Sequence, residues 1–259
     1  MNRLAMSEVI STLVLTSTIL LITIVAAFIA NSALETQAQK SEFEEAKSAF
    51  TLLADIIEDI SSNPYASGYV RVNSRSGRIE YKNCTFTITV SVGDTTLLTN
   101  TTSSLTFIGG EKIGFIPSEV IYGVSSLAVN NSVTPLTSVF TGYGEGRAFV
   151  SLNTTRVRVV YRGVTYMKAS GEYYHVFDIV FVRLVVKEVQ VSGSFTIIVR
   201  NVGVWSKTIL HPLSSNTLQI TVTLNYDDVT KEETLSFDLS STYDVLFNVI
   251  TIEVDVSII

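Results

Sequence analysis

The sequence predicts an α+β protein: one long N-terminal hydrophobic α-helix followed by a mainly antiparallel all-β sandwich, built as one large sandwich or two stacked modules. Three observations predict it. Residues 9–30, VISTLVLTSTILLITIVAAFIA, form an apolar run broken only by Ser and Thr, with no charge, Gly or Pro. Residues 31–62 continue without Gly or Pro but switch to amphipathic spacing. From Tyr65 onward, short runs rich in Val, Ile, Thr, Phe and Tyr alternate in period two between Gly, Asn, Ser and Asp turns.

The apolar run has the length of a transmembrane helix, since about 20 residues at about 1.5 Å each match a hydrocarbon core of about 30 Å. No second span is predicted, although the chain is 46% hydrophobic with a mean hydropathy of +0.37. The most apolar later stretch, residues 176–191, carries Asp178, Arg183, Lys187 and Glu188. Arg3 is the only cation before the span, which points the N-terminus toward the cytoplasm and the remaining chain outward.

In residues 31–62, Ala46, Ala49, Phe50, Leu53, Ile56, Ile57 and Ile60 recur at steps of three and four. They form one apolar stripe that something must cover. Asn63-Pro64 ends the helix, because proline disfavours helical geometry in the residue before it. The absence of Gly and Pro from residue 6 to 62 predicts an unkinked rod, roughly 80 Å long at about 1.5 Å per residue.

Strands are predicted at 69–72, 78–81, 85–92, 95–99, 104–108, 112–116, 120–122 and 147–152. Further strands follow at 156–161, 164–168, 175–191, 194–201, 205–211, 217–225, 232–238 and 245–256. Arg162-Gly163 and Ser192-Gly193 read as hairpin turns. The connections are too short for crossover helices, which favours antiparallel pairing. Residues 125–146 read as a long loop or seam. At the C-terminus, Ile250, Ile252, Val254, Val256 and Ile258 share one face and tie the chain end into a sheet.

No catalytic, metal or cofactor site is predicted. His175 and His211 lack ligand spacing and read as surface or edge residues. The lone Cys84 reads as a small buried hydrophobe, Asp227-Asp228 as a hairpin turn, and residues 142–146, GYGEG, as a flexible loop outside any strand-to-helix context. A net charge of −6 without clustered Lys or Arg argues against nucleic acid. Four Asn-X-Ser/Thr acceptors, Asn83, Asn100, Asn130 and Asn153, fit an exported domain carrying N-glycans.

The N-terminal border carries the most information. A small residue, Ala5, stands before the apolar run rather than after it, following Arg3 and preceding Met6-Ser7-Glu8. This order resembles the class III signal peptide of archaeal type IV pilin-like proteins and archaellins. The resemblance covers about the first 60 residues. Leu4 stands where that family commonly has a charge, and Glu8 falls at the third mature position rather than the fifth of bacterial pilins. The resemblance implies a leader, residues 1–5, cut between Ala5 and Met6 by a prepilin peptidase. It implies a filament helix over 6–62, in which 9–30 form the core and 31–62 pack on an extracellular β domain spanning 65–259. It also implies that Glu8 serves assembly, and that the partners are identical or related pilin subunits, the membrane and an assembly machinery.

Ala46, Phe50, Leu53, Ile57 and Ile60 are the expected helix-packing residues. The rival reading is a single-span surface-binding protein that does not polymerise, with Tyr143, Tyr173 and Tyr174 as candidate recognition aromatics.

Overall fold

The computed structural model describes residues 3–168, 170–189 and 193–259, with helical side chains from Ser11 on. Helix α1 (Arg3–Ser61) runs unbroken for 59 residues. It stops where the sequence stops it: Tyr65, just past Asn63-Pro64, takes φ 66, and the amide of Asn63 closes the last turn onto the Ile60 carbonyl at 3.0 Å.

Thirteen strands follow: β1 (Ser67–Val72), β2 (Arg78–Val92), β3 (Thr95–Ile108), β4 (Glu119–Tyr122), β5 (Ala128–Val129), β6 (Ser138–Gly144), β7 (Arg147–Asn153), β8 (Val157–Met167), β9 (Glu172–Val189), β10 (Phe195–His211), β11 (Thr217–Tyr226), β12 (Val229–Asp238) and β13 (Val245–Ile258). They form two sheets, ordered β1-β10-β13-β9-β8-β5 and β12-β11-β2-β3-β7-β6-β4. Pairing is antiparallel except for β13 with β9 and β5 with β8. The β9–β13 pair is parallel without a crossover helix because the chain travels through β10 and the other sheet's β11–β12 hairpin before returning as β13.

Several local expectations are corrected. Residues 112–116 are not a strand but a loop between Gly110 and Pro117. Ile113 is buried there and Ile116 packs on the core, while Phe115, on the face the alternation assigns to Ile113, is exposed. Within residues 125–146 the chain makes β5 and β6, and 142–146 is no free loop: Gly142–Gly144 end β6, and Glu145 (φ 52) and Gly146 (φ 77) turn into β7. Arg162-Gly163 is a bulge inside a continuous β8, with Gly163 at φ 101. The Ser192-Gly193 turn falls partly outside the described residues. Asp227, at φ 48, does turn the β11–β12 hairpin.

The core is divided in two. In one part the sheets face each other directly through Val90, Ile220, Val222, Phe177 and Phe247. In the other, α1 fills the space, its Phe43, Phe50, Leu53 and Ile57 meeting Phe107, Leu152, Leu184 and Val254. Strands β9 and β13 run through both. Along β13 the buried residues are Val245, Phe247 and Val249, then Ile252, Val254, Val256 and Ile258; along β9, after Tyr174 at its start, they are His175, Phe177, Ile179 and Phe181, then Val182, Leu184 and Val186. The register is unbroken across this change from odd to even, so the two rows lie on opposite faces of the same sheet. One face meets the second sheet, the other meets the helix. On the far side of α1 lie β7, β6 and β4, so strands flank it on both sides.

Candidate functional site: an apolar rod fixed in a β domain

From Ser11 to Asn31 every side chain of α1 is exposed, including Leu13, Leu21 and Phe28, the last at 75%. The helix is long and apolar enough to cross a membrane, and the most apolar stretch has no side chain covered by the domain. Four of its hydroxyls are satisfied internally: Thr16 Oγ1 donates to the Thr12 carbonyl at 2.9 Å, Ser17 Oγ to Val14 at 2.9 Å, Thr18 Oγ1 to Val14 at 2.8 Å and Thr23 Oγ1 to Ile19 at 2.9 Å. At 100° per residue Thr12, Thr16, Thr23, Ala27 and Ala30 share one side, while Val14, Leu21, Val25 and Phe28 crowd the opposite one. Ala5, Met6 and Glu8 belong to the helical backbone, but their side chains lie outside the described residues.

Burial begins at Gln39 and then follows the stripe. Ala46, Phe50, Leu53 and Ile57 are fully buried and Ile60 nearly so, joined by Phe43 and Ala54. Burying Phe43, Phe50, Leu53, Ile57 and Ile60 is worth about 8–15 kcal/mol before entropy is counted, at about 1.5–3 kcal/mol each.

Polar bonds fix the register of this helix against the domain. Gln39 Oε1 accepts the Lys112 amide at 2.8 Å, and the Lys112 ammonium meets Glu35. Glu42 sits in a nest made by the turn before β2. It accepts the amides of Arg75 at 2.9 Å, Ser76 at 3.1 Å and Gly77 at 2.9 Å, and the hydroxyls of Ser74 at 3.0 Å and Ser76 at 2.6 Å. Burial raises the Glu42 pKa, but the Ser76 hydroxyl and these amides outweigh it and hold the carboxyl below its ordinary value.

One turn from the helix end, Glu58 accepts the Thr137 amide at 2.6 Å and hydroxyl at 2.7 Å. Beside it, Arg156 is buried and donates to the Thr137, Ser126 and Pro135 carbonyls at 2.7, 3.0 and 3.1 Å. Burial lowers its pKa to about 10, opposed by Glu58 and Glu233, so the guanidinium remains charged near neutrality. Gly123, at φ +80, is required here: a Cβ would stand 2.3 Å from the Arg156 guanidinium. Burial and the Asp55 carboxylate raise the Tyr122 phenol far above its ordinary value, which keeps it a neutral donor. Buried Asn201 closes the helix end, its Nδ2 donating to the Ile60 carbonyl at 2.8 Å.

Sequence reasoning found the apolar stripe and missed this polar set. A signal was present: Glu35, Gln39 and Glu42 continue the 46-50-53-57-60 series toward the N-terminus at steps of three and four. Asn201 and Arg156 lie far away in sequence and had none.

The remaining candidates are dispersed. Asn83 and Asn130 are exposed, while Asn100 and Asn153 are half-buried. His175 is not a surface or edge residue: it is buried on an internal strand, within 2.9 Å of the Tyr161 hydroxyl and 3.1 Å of the Ser241 carbonyl. Cys84 is half-buried at a bulge with φ 51, rather than inside a regular strand. The three tyrosines do not form one patch. Tyr173 is exposed, stacked on Tyr243 at 5.5 Å and beside Tyr166 at 5.1 Å; Tyr174 is buried against Glu172; Tyr143 packs on Phe115 at 5.6 Å on the other sheet.

Fold and site together define a β-sandwich protein whose first helix is half structural core and half bare apolar rod. The chain belongs to the family of unknown function DUF7289, whose profile matches residues 5–172, more than half of its length. The match takes in the helix from Ala5 on, its contacts through Gln39, Glu42 and Glu58, and the strands through β8, and stops short of Asn201. No curated protein and no solved structure is significantly similar to it.

Proposed function

We propose that this chain is a structural subunit of an archaeal type IV pilus-like surface filament, assembled through its N-terminal helix. The observation that supports this reading best is the unbroken passage from a bare apolar helix into a clamped one at Gln39. An anchor needs only to hold a domain near a bilayer, and a flexible linker serves that purpose. A polymerising helix has to carry its domain to a fixed position, which requires the rod and the domain to be one rigid body. Internally bonded hydroxyls and a side of small residues suit close packing of like helices as well as residence in lipid. In this reading residues 1–5 are removed on the cytoplasmic side, Glu8 engages the new amino group of Met6 on its own or a neighbouring chain, and the β domain forms the outer sheath. Asn83 and Asn130 are the sequons best placed to carry glycans there.

N-terminal sequencing of the protein from sheared filaments should begin at Met6, and Glu8→Ala should abolish filaments while the β domain stays folded. Protein found solely as detergent-extracted monomers beginning at Met1 would refute the proposal and leave the single-span surface protein.

A further inference from the structure

The outer face of the seven-stranded sheet is not flat solvent-facing surface. Residues 124–127 and the β11–β12 hairpin line a groove of about 660 Å³ over it. Strand register sets out the floor. Ser104, Asn153 and Ser138 lie side by side on β3, β7 and β6; Thr106, Ser151 and Phe140 form the next row. Phe149 lies one row further, its ring over Gly142, where a Cβ would stand 2.5 Å from it. From Asn153 to Phe149 the floor is about 13 Å long at about 3.3 Å per residue. Aromatic pairs stand at both ends: Phe140 with Phe149, centroids 6.1 Å apart, and Phe86 with Tyr226, 5.5 Å apart.

The floor's polar groups are partly committed. Asn153 Oδ1 accepts the hydroxyls of Ser138 at 2.6 Å and Thr155 at 3.1 Å, and Thr106 and Ser151 share a bond of 2.9 Å. Two adjacent groups remain without a partner among the described residues, the Asn153 Nδ2 donor and the Ser104 hydroxyl. The cations at the rim are already engaged: Lys82 with Asp227, Lys231 with the Ser125 carbonyl, Arg147 with Glu111. That leaves no free cation to single out an anionic ligand. A peptide is disfavoured too, because β3 and β7 are interior strands whose backbone groups are used by their neighbours, so no main-chain ladder can form here. A neutral ligand with many hydroxyls and flat apolar faces answers both the unpaired donors and the rings.

We propose that this groove binds a neutral oligosaccharide, whose hydroxyls meet Asn153 Nδ2 and Ser104 Oγ and whose pyranose faces pack on Phe149 and Phe140. The site is independent of whether the helix polymerises. The test titrates the full-length chain, in micelles of a sugar-free detergent, with cellotetraose, chitotetraose and mannotetraose by isothermal calorimetry. At least one should bind saturably. Phe149→Ala should weaken that binding about tenfold. Asn153→Asp keeps the acceptor for Ser138 and Thr155 and replaces the free donor with a carboxylate oxygen, so it too should weaken binding about tenfold while unfolding stays cooperative. The proposal is overturned if none of the three sugars binds, if both variants bind like the parent chain, or if a Ser/Thr-rich peptide displaces the sugar more tightly than the sugar itself binds.

Discussion

The Glu42 nest permits a quantitative prediction. Replacing Glu42 with Gln keeps one oxygen at Oε1, where the Ser74 hydroxyl and the Arg75, Ser76 and Gly77 amides converge, but removes its charge and turns an N–H toward Ser76. Converting four charge-assisted bonds into neutral ones costs about 1 kcal/mol each, and solvent screening at this half-exposed carboxylate roughly halves the sum. The expected loss is about 2 kcal/mol, or about 4–8 °C in melting temperature for a domain of this size. The effect has a defined pH dependence. The carboxyl is held below its ordinary pKa of 4.5, so its contribution is fully present above that value and disappears as pH falls through the lower folded-state pKa. The difference between parent and Glu42→Gln should therefore be largest at neutral pH and narrow below about pH 4.5. Thermal unfolding in micelles measures it, and amide hydrogen exchange at residues 75–77 localises it. Equal melting temperatures and equal exchange at pH 7 would show that the nest contributes nothing and that apolar packing alone holds the helix.

Two further substitutions probe the other half of the clamp and the rod. Phe50→Ala empties a fully buried position between the sheets and should cost about 3–5 kcal/mol, whereas Leu52→Ala, two residues on and 52% exposed, should change stability by less than about 0.5 kcal/mol; urea midpoints of the two variants distinguish them. Leu34→Pro breaks the helix in its uncovered part, five residues before burial begins, at a local cost of about 3 kcal/mol; the domain should melt as before, and under the proposed assembly role electron microscopy of sheared material should show filaments for the parent and none for the variant.

The helix was readable because both of its signals are local. A 22-residue run and a stripe at steps of three and four depend on no distant residue, and Ala46, Phe50, Leu53, Ile57 and Ile60 lie where that spacing puts them. Most strands were readable for the same reason. Strand β6 was hidden by Gly142 and Gly144, low-propensity residues, of which Gly142 makes room for the Phe149 ring arriving from the next strand. Residues 112–116 misled in the opposite sense, because Ile113 and Phe115, two residues apart, read as one strand face where no strand is formed. His175 looked like a surface residue since nothing in its neighbourhood announces Tyr161 or Ser241, 14 and 66 residues away. The groove depends on register between β3, β7 and β6 and on the β11–β12 hairpin lining it, and neither leaves a trace in any single segment.

The reversal of buried faces along β9 and β13 explains why rod and domain form one object. A two-sheet core of the ordinary kind would bury one face of each sheet and leave a helix to pack outside as an accessory. Here β9 and β13 turn their odd-numbered residues toward the second sheet in one half and their even-numbered residues toward α1 in the other. Without residues 39–61 the second half would lose its filling, leaving Leu184, Val254, Phe107 and Leu152 without their apolar partners. The helix is therefore a core element of the domain it carries, and its direction is fixed by the burial of Phe50 and Leu53 between the sheets and by two carboxylate contacts spaced along it, Glu42 with residues 74–77 and Glu58 with Thr137. What changes at Gln39 is only what covers the helix: strands on the C-terminal side, and nothing from the domain on the N-terminal side, where the apolar side chains stand exposed.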